Sequence, residues 1–501
     1  MHYILTFDIG TTAVKTCLFD ERLSLIRSSN DEYALLIGKD RNVIELDCET
    51  YWRAVIDGIR RVAPDASTRE RISALSITTQ GETLIPVDRA GHAMRRAIVW
   101  LDARADEEGA QLSSLPAAAS VYSRTGVSAI DGMTPISKLL WLKHHEPEVY
   151  QKAYKFLLLG DYIVCRLTGE FAGEKTLLCT TAYYDIRHDC YLDELLEQAG
   201  LRRDAFPKPY DCGSVIANVS AAAAEETGLS THTVVIAGAM DQVAAAVGGG
   251  NLRDGVVTET TGTTMSIMAT ADEHCFETAG GVNIYRHVLP GKYFVMPFCI
   301  TAGVVLKWFK DEFCAELIEQ ARQENRSVYD LMGDMASKCE VGAKGLTIVP
   351  YFNGILQPCA QPAMRGVFVG ASLATQKPQF IRAIFEGVGC MLRENLDLLE
   401  AMGVSVQEIR SFGGGANSAI WSQIKADIVQ KRILTMRQLE CASLGVAAIS
   451  AVAMGYFPGL ELAVQTNDVD KCFQPNPEVA DACDALYRRY LTVLETTRKL
   501  F

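Results

Sequence analysis

The chain has 501 residues, 49% of them hydrophobic, and a formal net charge of −13. That length exceeds one ordinary core and predicts two domains, 1–250 and 251–501. The acidic balance, without a Lys/Arg cluster, excludes a nucleic acid and leaves a small molecule as the partner. Fifteen cysteines include no C-x-x-C pair, and the only local histidine cluster is His144-His145, so no structural zinc is expected. Met1-His2-Tyr3 runs into the first strand without a leader and no apolar run reaches membrane length, which predicts a cytoplasmic chain with reduced thiols and no membrane.

Ile4 to Phe19 reads as two strands joined at a turn that gathers Asp8, Gly10, Thr11, Thr12 and Lys15. Gly10 is expected to let the backbone turn tightly, and the turn then offers N–H groups, two hydroxyls and a cation to an anion. Asp8 would repel a bare phosphate, so the set suits a Mg-nucleotide, with Asp8 on the metal. A core hairpin with a polar turn is the plainer alternative.

Glu49 to Val62 has helical spacing, and Ile72 to Thr78 is a strand that ends in Gln80-Gly81-Glu82-Thr83. Polar residues at the end of a buried strand make Gln80 and Glu82 candidates for substrate hydroxyls, with a plain turn as the competing reading. Ile98 to Arg104 reads as a short strand carrying Trp100, Asp102 and Arg104. Carboxylate and guanidinium would bind hydroxyls while the indole covers the ligand's C–H face, unless the pair is only a surface ion pair beside a core Trp. Asp161 to Gly169 is a helix ended by glycine.

Thr233 to Ala237 is an apolar strand leading through Asp241 and Gln242 into a helix of small residues. At a helix N-terminus an ionised carboxylate is favoured, so Asp241 suits a general base and, with Asp8, a metal ligand, while Gln242 joins the substrate contacts. A simple N-cap is the structural alternative.

The opening pattern then returns from Gly255 to Met268, with Gly262, Thr263 and Thr264 at its turn. Two copies of one phosphate hairpin imply two similar domains. Downstream, Gly303 opens an amphipathic helix and could admit a phosphate. Phe380 to Met402 is a long helix, and Ile409 to Phe412 is a strand opening into Gly413, Gly414, Gly415, Ala416 and Asn417, read as a shelf for adenosine.

With these elements in this order, the chain resembles the carbohydrate kinases named for a Phe-Gly-Gly-Tyr motif, which include xylulose, glycerol and gluconate kinases. The resemblance runs through Asp8–Lys15, Trp100–Arg104, Gly238–Gly248, Gly262–Thr264, Gly303–Trp308, Tyr351–Gly370 and Gly413–Asp427. It implies an α/β chain of two actin-like (ribonuclease-H-like) domains with ATP and sugar in the cleft between them. It further implies Asp241 as the base and Asp8 on Mg2+, while the state of assembly is left open, with a homodimer as one option. The loop Ile355-Leu356-Gln357-Pro358 lacks the Glu-Arg usual after the signature's glycine, and Gln361 replaces a common Asp.

The expected reaction is transfer of the γ-phosphoryl group of ATP to a small sugar. Glycerol kinases typically show Gln-Arg-Glu-Thr where this chain has Gln80-Gly81-Glu82-Thr83. Loss of the arginine is expected to leave a space that glycerol cannot fill, which favours a ketopentose such as xylulose; glycerol, another polyol or a sugar acid is the alternative. An actin-like ATPase would not need the strand-end polar residues. A sugar-sensing regulator would need a DNA-binding segment, for which the chain has no room before Ile4.

Overall fold

The computed structural model describes residues 2–40, 42–278, 280–357 and 360–501, so Met1, Pro358 and the rest of the excluded positions lie outside the account that follows. The chain forms two compact units. The first comprises Met1–Gly250, Asn283–Phe294 and Glu440–Asn467, and the second Asn251–Val282, Val295–Leu439 and Asp468–Phe501. Two later segments thus return to the first unit; in one of them the Ile284 N–H donates to the Gly126 carbonyl at 2.9 Å.

The first unit is built on strands β1 (Tyr3–Ile9), β2 (Ala13–Asp20) and β3 (Leu25–Glu32), helix α1 (Cys48–Val62) and strand β4 (Ile72–Thr79). Helix α2 (Pro135–His145), strands β5 (Val215–Asn218) and β6 (Val234–Met240), and helix α3 (Asp241–Gly248) follow. The sheet order is β5-β6-β4-β1-β2-β3. β1 is antiparallel to β2 and parallel to β4, which is in turn parallel to β6. Apolar residues on both faces of β1 make it a central strand, because a strand covered on both sides cannot alternate with polar residues. α1 covers one face through Tyr51, Trp52, Val55, Ile59 and Val62, all with essentially no exposed surface, and Asp47 caps it by accepting from the Glu49 N–H.

The second unit repeats the plan with β7 (Gly255–Thr261), β8 (Met265–Ala271), α4 (Gly303–Phe313), α5 (Lys377–Ala401), β9 (Val406–Phe412), α6 (Ala419–Val429), β10 (Arg432–Met436) and, beyond helix α7 (Cys441–Ala453), β11 (Val469–Phe473). Its strands run β8-β7-β9-β10-β11, with the same sequence of antiparallel and parallel pairings as β2-β1-β4-β6-β5. α7 belongs to the first unit and packs on α3 through two glycines. A Cβ on Gly248 would lie 2.0 Å from the Cys441 carbonyl oxygen, and one on Gly445 would lie 1.9 Å from that of Ala244, so the small residues of α3 serve backbone-to-backbone contact.

Two expectations need correction. Only Ala97–Ile98 of the segment before Arg104 is strand; the chain then turns, the Asp102 N–H donating to the Val99 carbonyl at 2.9 Å, because Asp102 and its partners hold a loop rather than a ladder. Gly10 does not use its conformational freedom: its φ is not in the left-handed region, and an added Cβ would meet only the Ala13 oxygen at 3.6 Å. The turn is closed instead by the Gly10 N–H to Ala13 O at 2.9 Å and by the Tyr33 hydroxyl donating to the Gly10 carbonyl at 2.5 Å.

Candidate functional site

In the first unit the polar residues collect where β1, β4 and β6 end. Asp8 sits opposite Lys15 across the β1–β2 ladder. Lys15 Nζ pairs with Glu440 Oε2 at 2.5 Å, so the cation of the turn already has a carboxylate partner brought by the residue that precedes α7. Burial pushes Asp8 up to about 6; Lys15 opposes that rise and Glu440 adds to it. Thr11 and Gln80 are bound to each other. The Trp100 indole donates to Thr11 Oγ1 at 2.9 Å, the Thr11 hydroxyl donates to Gln80 Oε1 at 3.0 Å, and the Gln80 amide donates to Thr83 Oγ1 at 3.2 Å. The Trp100 N–H closes the ring on Thr83 Oγ1 at 3.1 Å. Gln80 is buried within this ring, whereas Thr12 is exposed.

Glu82 follows with φ 53°, a left-handed conformation that costs a side chain about 1–3 kcal/mol and persists only where surroundings impose it. Both of its backbone polar groups are held: its carbonyl accepts from Lys138 Nζ at 3.0 Å, and its N–H donates to Thr180 Oγ1 at 3.4 Å. Lys138, on α2, has no exposed surface and also donates to the carbonyls of Val99 at 3.0 Å and Trp100 at 3.3 Å. Three carbonyl acceptors match the three N–H donors of an ammonium, so the charged form satisfies the site even though burial pulls its pKa down. Burial likewise pushes the Glu82 carboxyl up, against the pull of Lys138. The space expected beside Gly81 is not empty. A Cβ there would lie 2.9 Å from Thr180 Cγ2, so Thr180 fills part of what a larger residue would occupy.

Asp241 is the first residue of α3, and its Oδ1 accepts from the Gln242 N–H at 2.6 Å. Burial first, then the charge of Asp8, push its carboxyl up to about 7, with Glu82 adding to the rise. Tyr285, from the segment that returns to this unit, is buried with its hydroxyl under the influence of Glu82 and Asp241. Asp8, Glu82 and Asp241 therefore form one electrostatically linked group of carboxylates.

Asp102 and Arg104 lie deeper. Asp102 has no exposed surface; its Oδ2 accepts from the Ile44 N–H at 2.6 Å and from Arg104 Nη2 at 2.7 Å, and its Oδ1 from the Arg104 N–H at 3.0 Å. Arg104 continues to Glu45 Oε1 at 2.9 Å, where Arg95 also binds, and its guanidinium lies 4.9 Å from the ring centre of Trp141 rather than against Trp100. This is a buried network that braces the turn carrying Trp100.

The second unit gathers glycines. The Gly262 N–H donates to Thr264 O at 2.9 Å to close the β7–β8 turn, and the Ala302 N–H donates to Thr263 O at 2.9 Å, bringing the N-terminus of α4 against it. A Cβ on Gly303 would lie 2.4 Å from the Gly262 oxygen, and one on Gly415 would lie 2.8 Å from Thr261 Cβ, so both positions require glycine for the elements to meet. Gly262 and Gly414 face open space, where an added Cβ meets nothing within 4 Å. Thr263 and Asn417 are exposed beside them, and Thr264 is half-buried. The arrangement is a cradle of backbone and hydroxyls at a helix N-terminus, suited to phosphates.

Beneath the cradle lies a pair that sequence reading missed. Glu259 and Lys425 have no exposed side-chain surface; Lys425 Nζ lies 3.1 Å from Glu259 Oε2 and 3.4 Å from Thr261 Oγ1. Glu259 also accepts from the hydroxyls of Thr261 and, at 2.6 Å, of Ser411. The pair thus ties β7, β9 and α6 together under the turn. Lys138, Glu45 and Glu440 were missed as well. For Lys138 a signal existed, since it falls among Ile136, Leu139, Leu140 and Leu142, all buried on α2.

Among the described residues no group of three metal-ligating side chains occurs, and no helix is long and apolar enough to cross a membrane. Comparison with known proteins supplies a further finding. The model for the N-terminal domain of the FGGY family of carbohydrate kinases matches residues 3–248, and that for its C-terminal domain matches residues 258–454. The chain is 28% identical over 499 residues to a xylulose kinase of Staphylococcus epidermidis, covering 99% of this chain and 97% of that one. It is 28% identical over 455 residues to a gluconokinase of Bacillus subtilis, covering 90% and 88%. A ligand-bound xylulose kinase structure from Lactobacillus acidophilus superposes with a TM-score of 0.89 at 25% identity, over 99% of this chain and 98% of that one.

Proposed function

The chain belongs to the FGGY family of carbohydrate kinases and is a sugar kinase, and from that premise we propose that it transfers the γ-phosphoryl group of ATP to a hydroxyl of a ketopentose such as xylulose. The observation that carries the proposal is Asp241. It is a carboxylate at a helix N-terminus whose pKa is held near 7 by burial and by Asp8, where a general base works best. It accepts the proton of the attacking hydroxyl. Glu82 binds acceptor hydroxyls from the fixed turn after β4, with Gln242 beside the base. Gln80 and Trp100 shape the wall, and Asp102 with Arg104 acts from behind by bracing the turn that carries Trp100.

For the donor, the turn at Gly262, Thr263 and Thr264, the α4 N-terminus at Gly303 and the shelf at Gly414, Gly415 and Asn417 supply N–H groups and open backbone. Gly10, Thr11, Thr12 and Lys15 offer the matching turn of the first unit. Asp8 and Asp241 fit Mg2+: they are hard oxygen donors whose mutual repulsion a divalent cation would relieve, and this ion commonly uses one or two carboxylates while keeping water. When bound it neutralises phosphate charge.

A screen of ketopentoses, other sugars, polyols and sugar acids for ATP-dependent ADP release tests the assignment. A ketopentose should give the highest kcat/KM. Glycerol as the best acceptor would overturn the reading of Gly81, and ADP release indifferent to every acceptor would overturn the kinase assignment to this site.

A further inference from the structure

The acceptor end of the first unit is acidic, and among the described residues the cations near it are held by other partners. Glu82 presents a carboxylate that no described side chain or N–H hydrogen-bonds, and Asp241 and Asp131 act on it or alongside it. Four cations described there are engaged elsewhere: Lys138, Arg104, Lys15 and Arg286. Lys138 gives its three donors to the carbonyls of Glu82, Val99 and Trp100. Arg104 is bound to Asp102 and Glu45, and Lys15 to Glu440. Arg286, next to Tyr285, is bound to Asp189 at 2.9 Å and to Asp211 at 3.4 Å, in a cluster that Lys175 completes with contacts to the same two carboxylates. A sugar acid needs an Arg or Lys donor to replace the water it loses, and here it would meet carboxylates instead.

We infer that the acceptor site takes a neutral polyhydroxy compound and rejects acceptors that carry a carboxylate. The inference rests on the proposed placement of the acceptor at Glu82 and Asp241, and narrows it: of the acceptors phosphorylated by related enzymes, the class of sugar acids is excluded by charge rather than by shape. Hydroxyl groups donate well to Glu82, and the carboxylates that repel an acid are those that bind an alcohol.

The test separates charge from shape by comparing aldonic acids of four to six carbons with their amides, which share the carbon skeleton. With the full-length protein, ATP and Mg2+, kcat/KM for the best amide should exceed that of its acid by about tenfold or more, because like-charge juxtaposition is strongly penalised at a desolvated site. In Glu82→Gln the ratio should shrink. Protection of the unaltered protein against thermal unfolding by the same two series provides a readout that does not need turnover. Amides protecting where acids do not would support the inference, and if no ADP were released in that case the kinase reading alone would fail. Protection by the acids as strong as by the amides, or by neither series, would overturn the inference.

Discussion

The two units carry the same hairpin at the same place in their separate sheets, yet the two turns differ in kind. In the first, Asp8 faces Lys15 across the ladder; in the second, Thr260 faces Ser266. The strand parallel to each hairpin also ends differently. β4 runs into Gln80-Gly81-Glu82, and β9 runs into Gly413-Gly414-Gly415. The strand that follows leads to a carboxylate in both halves, Asp241 after β6 and Glu440 after β10, and both of those belong to the first unit. The repeated topology supplies positions, and the residue types divide the work. The first unit gathers carboxylates, which the proposed function assigns to proton transfer and hydroxyl recognition, while the second leaves backbone uncovered at Gly262 and Gly414, where that proposal places the donor.

The sharpest break of this comparison is Asp241→Asn, which keeps size and hydrogen bonding but cannot take a proton. Phosphorylation in a coupled ADP assay should fall by roughly 10²–10⁴-fold, with the unfolding transition little changed. The unaltered enzyme should lose kcat/KM on the acid side, with a midpoint at about 7 or below it, because the raised carboxyl must be ionised to act as base and Mg2+ would relieve the repulsion from Asp8; no acid-side fall while the protein stays folded would remove Asp241 from that role.

A large effect without chemistry is expected beneath the second turn. Lys425→Met strands the Glu259 carboxylate in the interior, and loss of one partner of such a pair costs about 3–5 kcal/mol. Urea unfolding should show it, and adding Glu259→Gln should recover a substantial part. A smaller contrast separates equivalent-looking glycines. Gly303→Ala forces a methyl against the Gly262 carbonyl and should cost about 1–3 kcal/mol, whereas Gly10→Ala meets only ordinary contact and should stay within about 1 kcal/mol of the parent.

These contrasts also mark what the sequence made legible. Strands apolar on both faces and the Gly-Thr-Thr turns between them disclosed both hairpins, and the repeat disclosed the duplication, because those signals are local. Gly303 and the Gly413–Gly415 loop were legible for the same reason. What held Glu82 was not: Lys138 lies 56 residues away and acts on a backbone carbonyl, and Thr180 reaches Gly81 from a distant segment. Lys15 with Glu440, 425 residues apart, and Lys425 with Glu259, 166 apart, are pairs that only the folded chain creates. Asp102 and Arg104 stood out as a polar pair, but their burial depends on Glu45 and Trp141 closing over them.

The division of labour is tested most directly by crossing two variants against both substrates in steady-state kinetics. Gly262→Val adds bulk where the protein has none within 4 Å, so the fold should tolerate it while the donor does not. Its KM for ATP should rise by roughly tenfold or more, the scale of an obstructed ligand contact, with the acceptor KM near that of the parent. Glu82→Gln should do the reverse, raising the acceptor KM and leaving that for ATP. If each variant moved both constants alike, the account of one acceptor-binding unit and one donor-binding cradle would be wrong.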